Sequence, residues 1–260
     1  MKNNFSLVSG AAGFLGGHFC EAFLNNKFNL IMVDKKYDKL IKIKKILEKK
    51  YPERKILALK LDIANEKQIV NCFNNLKKKN FFVNVLVNNA AIDAKPNNAK
   101  AKGKYINLQQ WEKEIKVGLT GTYLMIKTFG EEMSRKKTGS IVNIGSDLSV
   151  ISPDQKIYKK SFKNYYKPAS YSTIKHGLVG MTKYFSTLFA SSNVRCNLLS
   201  PGPVFHKQPK DLKNHLLSRT PMGRLCLPKD LTGTLIFLSN KDSKFVTGQN
   251  ILIDGGKTII

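Results

Sequence analysis

Phe5-Ser6-Leu7-Val8-Ser9-Gly10-Ala11-Ala12-Gly13-Phe14-Leu15-Gly16 is the stretch from which the fold can be read. A short run of buried-strand type, Phe5 to Val8, enters three glycines, and a helical pattern follows to about Asn26. Strand, glycine turn and helix in that order is the context in which glycine spacing carries meaning. Small residues let backbone amides approach a pyrophosphate, and the helix N-terminus adds a partial positive charge at the same place. A plain glycine turn is the other reading of these residues.

Outward from the turn, Asn29 to Val33 is a second strand ending at Asp34. An acid about twenty residues beyond the glycines is where a carboxylate would hydrogen-bond the ribose hydroxyls of a dinucleotide. A carboxylate also repels a 2′-phosphate, which favours NAD over NADP; Lys35 and Lys36 pull the other way, so NADP stays open. Tyr37 to Lys50 reads as a basic amphipathic helix, and Ile56 to Leu61 as a third strand that ends in Asp62-Ile63. Asp62 could contact the adenine amino group or cap the helix that runs from about Glu66 to Lys79, and spacing alone leaves both open. Val83 to Val87 is a fourth strand, opening into Asn88-Asn89-Ala90-Ala91, small and polar where a cofactor would pass. This alternation predicts an α/β protein, a three-layer doubly wound fold around a parallel sheet. Such sheets bind ligands at the carboxyl ends of their strands, where all these motifs sit.

The second half continues the rhythm. A long helical region from Gln109 to about Lys136 is interrupted near Gly118 and Gly121, and Ser140 to Ile144 is a fifth strand ending in Gly145-Ser146. After a polar stretch from Pro153 to Pro168, a helix begins near Ser170 and carries Tyr171 and Lys175. Residues four apart share a helix face. An ammonium beside a phenol favours the phenolate and lowers its pKa from about 10, giving a proton donor or acceptor usable near neutral pH. Alone, the pair fits an ordinary amphipathic helix in a lysine-rich chain just as well. Val194 to Leu199 is a sixth strand ending in Ser200-Pro201-Gly202-Pro203, and a mobile-looking segment, 204–227, is placed to cover a substrate. A helix from Pro228 to about Ser239 and a strand from Asn250 to Ile253, ending in Asp254-Gly255-Gly256, complete what reads as one domain over 1–260.

With 260 residues and 42% hydrophobic content, the chain has the composition of a soluble globular protein. The start, MKNNFSLVSG, lacks the apolar run of a signal peptide, and no later run is long enough for a bilayer. Cys20, Cys72, Cys196 and Cys226 are scattered, with no zinc or disulfide spacing, so a cytoplasmic location is expected. Lysine and arginine number 44 against 18 acids, a net charge of +26. The lysines are spread along the chain, whereas a nucleic-acid reader clusters arginine and interleaves aromatics. Compositional bias is the favoured explanation, and neither a nucleic-acid nor a membrane partner is expected.

Taken together, Gly10 through Gly16, Asp34, Asp62, Asn88-Asn89-Ala90, Ser146, Tyr171 with Lys175, Pro201-Gly202, Val246-Thr247-Gly248 and Asp254-Gly255-Gly256 resemble the short-chain dehydrogenase/reductase family over essentially the whole chain. The resemblance implies a Rossmann-type sheet of about seven strands, an NAD(P) cofactor and a homodimer or homotetramer. By the same resemblance Tyr171 is the general acid/base, and Lys175 lowers its pKa and holds the nicotinamide ribose. Ser146 hydrogen-bonds the substrate oxygen. Cofactor contacts are implied for Ser9, Gly10, Gly13, Phe14, Leu15, Gly16, Asp34, Asp62, Ile63, Asn89, Ala90, Ala91, Tyr171, Lys175, Pro201, Gly202 and Val204.

Three departures stand out. The glycines are spaced G-x-x-G-x-x-G, as in extended, sugar-nucleotide-processing members, although the rest looks like the single-domain type. Gly118 stands where an asparagine usually completes a proton relay to the lysine. The threonine that often follows the Pro-Gly turn is absent from Pro203-Val204-Phe205-His206. Gly-Leu-Thr-Gly at 118–121, Ser-Asp-Leu-Ser-Val at 146–150 and the long gap before Tyr171 look most like the subgroup of flagellin modification and surface-sugar biosynthesis. Three basic segments should border the site: Asp93 to Asn107, Pro153 to Pro168 with Lys156, Lys159, Lys160, Lys163 and Lys167, and Val204 to Leu227. The expected substrate is therefore an anionic small molecule, such as a nucleotide-activated or phosphorylated sugar, with Lys207, Lys210 and Arg219 on its phosphates. A reductase of acyl thioesters and a cofactor-binding protein with weakened catalysis are the alternatives.

Overall fold

Leu30, Ile31, Met32 and Val33 send their side chains alternately to two different hydrophobic cores, and Val85, Leu86 and Val87 do the same. Side chains of a strand alternate between the faces of its sheet, so continuous apolar runs demand cover on both sides. The computed structural model describes residues 4–92, 104–162 and 165–260, with only the backbone of 159 and 160. It shows how that cover is provided.

Seven parallel strands form one sheet in the order β3-β2-β1-β4-β5-β6-β7. They are β1 (Asn4–Ser9), β2 (Asn29–Asp34), β3 (Ile56–Lys60), β4 (Phe82–Asn88), β5 (Gly139–Ile144), β6 (Val194–Pro201) and β7 (Asn250–Ile253). On one face, α1 (Phe14–Asn25), α2 (Tyr37–Lys50) and α9 (Pro228–Ser239) bury Phe19, Phe23, Leu40, Leu231 and Leu235 against the sheet. On the other, α3 (Glu66–Lys78), α5 (Thr122–Arg135) and α7 (Ala169–Phe189) bury Ile69, Met125, Phe129 and Phe185. The chain reverses direction across the sheet between β1 and β4, and the crevice there is where doubly wound folds hold ligands. No described helix is long and apolar enough to cross a membrane.

The sheet positions agree with the sequence reading, and two helices add to it. The polar stretch before Tyr171 contains α6 (Gln155–Ser161), and the mobile-looking segment 204–227 contains α8 (Lys210–Leu217). These two pack together through Ile157, Leu212, Leu216 and Leu225, a small core separate from the two on the sheet. The long helical region is α4 (Leu108–Ile115) and α5, joined by a π-helical turn over Lys116–Gly121. Asp62 is not the cap of α3: Asn65 is, its side chain accepting from the Gln68 N–H at 3.1 Å.

The glycine turn is held by contact rather than by choice. Gly10 has φ +65°, and a Cβ there would sit 2.8 Å from the Ala90 Cα. A Cβ on Gly16 would lie 2.2 Å from the Gly10 carbonyl oxygen, whereas one on Gly17 would meet nothing within 4 Å. Gly16→Ala is therefore expected to destabilise the chain by at least about 1–3 kcal/mol and to weaken NADH binding. Gly17→Ala should be neutral or stabilising by up to about 1 kcal/mol. Urea unfolding midpoints of the two variants check this contrast.

Candidate active site

The turn at the end of β1 is cross-tied to the end of β4. Ser9 donates its hydroxyl to the Val87 carbonyl at 3.2 Å and accepts the Asn89 and Ala90 N–H groups at 3.0 and 3.1 Å. The Asn89 amide donates back to the Ser9 and Gly10 carbonyls at 3.0 and 3.2 Å. Asp34 joins from β2, accepting the Ala12 N–H at 3.0 Å and the Lys36 N–H at 2.9 Å. Gly13 and Phe14 stay exposed at the start of α1, and Gly13 caps that helix without any side-chain bond. The cradle thus offers an uncapped helix N-terminus at a point where side chains are excluded by the Gly10 and Gly16 contacts. That is the donor set a dinucleotide pyrophosphate needs, and the residues fit NAD(P).

The remaining residues predicted to touch the cofactor border the same crevice. Asp62 accepts the Ala64 N–H at 2.9 Å, and Ile63 is backed by the bare face of Gly121. Gly202 lies so close to β7 that a Cβ would be 2.6 Å from the Asp254 Cα. Past it, Val204 bridges to Cys226, and His206 stacks on Phe14 with ring centres 4.0 Å apart. The segment after the Pro-Gly turn therefore folds back over the start of α1. Leu15 and Ala91 lie at the ends of these turns, partly buried and exposed respectively.

Tyr171 and Lys175 lie one turn apart on α7, which packs against the short turn 147–149 beyond β5. Lys175 is 6% exposed, its ammonium donating to the Ile144 carbonyl at 2.8 Å and lying 5.6 Å from the centre of the Tyr171 ring. Ser146, at the head of that turn, is 6% exposed. Its hydroxyl donates to Asp147 Oδ1 at 2.8 Å and accepts the Leu148 N–H at 3.2 Å. Asp147 Oδ2 is bonded by Lys257, whose ammonium reaches in from the tail beyond β7 to form a buried ion pair. This Ser146–Asp147–Lys257 chain was not foreseen, because Lys257 is 110 residues from Asp147 and carries no motif.

The substrate border is described in part. Residues 93–103 and Lys163 fall outside the described residues, as do the side chains of Lys159 and Lys160. Arg219 pairs with Asp154 at 2.9 Å and thereby ties the α8 region to the start of α6. Lys207 is exposed in a left-handed conformation with φ +56°, and Lys210 opens α8. None of the four thiols is disulfide-bonded. Burial pushes the Cys196 thiol up to about 12 and those of Cys72 and Cys226 up to about 11, so these thiols are protonated at neutral pH.

Gly118 has a steric reason. It lies in the π-helical turn, and a Cβ there would stand 2.8 Å from both Cδ1 and Cγ2 of Ile174, the neighbour of Lys175. Hydrocarbon occupies the space that a side chain at 118 would need. One turn earlier, Glu114 is buried, bonded by the Ser170 hydroxyl and by Gln110 at 2.6 Å. Gly118→Asn alone is expected to cost about 1–3 kcal/mol through overpacking. Combined with Ile174→Ala it should cost less than the two single losses added, because the deleted side chain makes the room. Urea midpoints of the two single variants and the double variant measure that coupling.

Comparison with known proteins gives the same answer from a different direction. The family model described as Enoyl-(Acyl carrier protein) reductase matches residues 10–258. An NAD-dependent glycerol dehydrogenase of Listeria innocua is 27% identical over 100% of this chain and 95% of its own. A 3-oxoacyl-[acyl-carrier-protein] reductase of Thermotoga maritima is 28% identical over 100% and 99%. Post-translational flagellin modification protein A of Campylobacter coli is 26% identical over 98% of each. A solved short chain dehydrogenase from Leptospira borgpetersenii with bound NAD+ superposes with a TM-score of 0.85 at 29% identity, covering 99% of this chain and 94% of that one. The match runs from the glycine turn into the tail that carries Lys257, and the chain accordingly belongs to the short-chain dehydrogenase/reductase family of NAD(P)-dependent oxidoreductases.

Proposed function

We propose that the chain interconverts a secondary alcohol and a carbonyl on an anionic, sugar-derived small molecule, as expected of an enzyme of surface-glycan biosynthesis. The observation that carries the chemistry is Tyr171 beside the buried ammonium of Lys175, on a helix packed against the turn that Ser146 heads. NAD(P), when bound, supplies or takes up the hydride. In the reducing direction Tyr171 donates its proton to the substrate oxygen as the carbon gains the hydride. In the oxidising direction the phenolate takes that proton back. Lys175, its ammonium 5.6 Å from the ring centre, favours the phenolate. Ser146 is the oxygen's second partner. To serve as donor, its hydrogen turns from Asp147 toward the substrate oxygen as negative charge grows there, which strengthens the contact in the transition state more than in the ground state.

Asp34 supports NAD over NADP: its carboxylate, with Oδ2 on the Ala12 N–H of the glycine turn and Oδ1 on the Lys36 N–H, would repel a 2′-phosphate there. The α6–α8 unit, tied by Asp154 and Arg219, is the substrate cover, and Lys207 and Lys210 lie on it. A homodimer or homotetramer fits the exposed Tyr123, Tyr184 and Leu188 on the outer sides of α5 and α7. A second reading, reduction of a 3-oxoacyl thioester, is favoured by the Thermotoga relative and by the description of the family model.

A panel of UDP-, GDP- and CMP-sugars and sugar phosphates with NAD, set beside acetoacetyl thioesters with NADPH, separates the two readings. Turnover of the first set is expected, and turnover of the thioester alone would replace it. Tyr171→Phe should cut turnover by at least about 100-fold and leave the NADH dissociation constant within about twofold, as fluorescence titration reads it.

A further inference from the structure

The tail beyond β7 is seated without help from the Lys257 side chain. Asp254, at the end of β7, accepts the Gly256 N–H on Oδ1 at 3.0 Å and the Thr258 N–H on Oδ2 at 2.9 Å. The Gly255 carbonyl accepts the Met222 N–H at 3.1 Å, and the Ile253 carbonyl accepts the Gly202 N–H at 2.9 Å. Gly255 and Gly256 are left-handed, with φ +66° and +85°, so the chain turns sharply just before Lys257. From there the lysine side chain, 11% exposed, pairs with the Asp147 carboxylate, 7% exposed. Taking two such charges out of water is unfavourable, and apolar side chains of similar volume often serve stability as well or better. The reason for the pair therefore lies at its other end, beside Ser146.

The Ser146 hydroxyl donates to Asp147 Oδ1 at 2.8 Å. The Leu148 N–H is shared between that oxygen, at 2.9 Å, and Ser146 Oγ, at 3.2 Å. Oδ2 takes the ammonium of Lys257, the only cation bonded to Asp147 among the described residues. For the serine hydrogen to turn to a substrate oxygen, Asp147 must release it. A buried carboxylate that loses a donor is left with unmet desolvation unless its other partners compensate it. Two partners stay in place through that turn, Leu148 on Oδ1 and Lys257 on Oδ2. Without Lys257 a single backbone N–H would face the anion, and the carboxylate would either keep the serine hydrogen or swing toward water.

We infer that Lys257 is a positioning residue for the reaction: it holds the Asp147 carboxylate beside Ser146 and keeps it satisfied while the serine hydrogen turns to the substrate oxygen. The lysine acts through Asp147 and not on the reactants. No covalent bond changes in this step; one hydrogen bond is exchanged for another. The inference rests on the reading of Ser146 as the second partner of the substrate oxygen.

The test uses the full chain. NADH affinity is read by fluorescence, kcat and KM with whichever member of the substrate panel turns over, and geometry from crystal structures of the NADH-loaded variants. Lys257→Met should lower kcat by about tenfold or more while the substrate KM and the NADH dissociation constant stay within about threefold, the mark of an interaction made in the transition state. Lys257→Arg should recover most of that loss. The double variant Asp147→Asn with Lys257→Met strands no charge, so it remains testable even where Lys257→Met does not fold, and its kcat should lie within about threefold of the unaltered chain. A lysine that only anchored the tail would show the opposite, the second substitution adding to the first loss. In the crystal, Asp147 should leave Ser146 in Lys257→Met, whereas the amide should stay on Ser146 in the double variant. An unchanged kcat in Lys257→Met, a double variant no faster than Lys257→Met, or an Asp147 that keeps its place and its bond to Ser146 in Lys257→Met would each overturn the inference. Undiminished turnover of Ser146→Ala would instead overturn the reading of Ser146. If no member of the panel turns over, the crystal structures decide.

Discussion

The Gly10 carbonyl oxygen and the backbone of Gly16 meet with no room for a single carbon between them. That contact sets the angle at which α1 leaves the sheet, and much of the site inherits its position from it. It aims the uncapped start of α1 along the ends of the strands. It leaves Ala12 where Asp34 can bond it, and it brings Gly10 against Ala90, so that β1 and β4 meet through Ser9 and Asn89. The stack of His206 on Phe14 then ties the far side of the crevice to the same helix. Close packing of this kind is felt over many residues because protein interiors have few voids into which strain can relax.

Most of the sheet was legible in the sequence because its strands are buried on both faces and read as short apolar runs, each followed by small or polar residues at the carboxyl end. The glycines, Asp34, Ser146, Tyr171 and Lys175 were legible because their meaning depends on order and spacing along the chain. What was hidden depends on distant contacts. Gly118 reads as a missing side chain until Ile174 is seen filling its place. Asp147 has no role in the sequence reading until Lys257 is seen beside it. The helices α6 and α8 have weak patterns of their own and are held by each other through Ile157, Leu212 and Leu216, a pairing that no local periodicity encodes. Asp62 shows the opposite case, in which two local signals competed and a neighbour, Asn65, provided the cap.

Electrostatics divides the site into two halves. Around the glycine turn, Asp34 is the only charged side chain that bonds the turn's backbone among the described residues, and the helix end does the remaining work with dipoles. Around Tyr171 the charges are formal ones, and several are buried. Removing one partner of a buried ion pair is expensive, of order 3–5 kcal/mol, because it strands the other. Asp147 and Lys257 are therefore bound to change together or not at all. The large net charge of the chain is a separate matter. Many of its lysines lie away from the site, among them those that line α2, where solvent and salt screen them and where they say little about the reaction.

The bond from Lys257 to Asp147 also orders events in time. Chains emerge from the ribosome N-terminal end first, and domains begin to form as they appear. The strands that hold the glycine turn, Asp34 and Asn89 are made by residue 88, while the core that seats α1 also takes Leu231 and Leu235 of α9. The serine at 146 gains its buried carboxylate neighbour at once but gains the cation that neutralises it only when residue 257 is delivered, after β7 has been added to the edge of the sheet. Until then the Asp147 carboxylate lacks the cation that pairs with it. The chain from Ser146 through Asp147 to Lys257 is thus complete only when the sheet is.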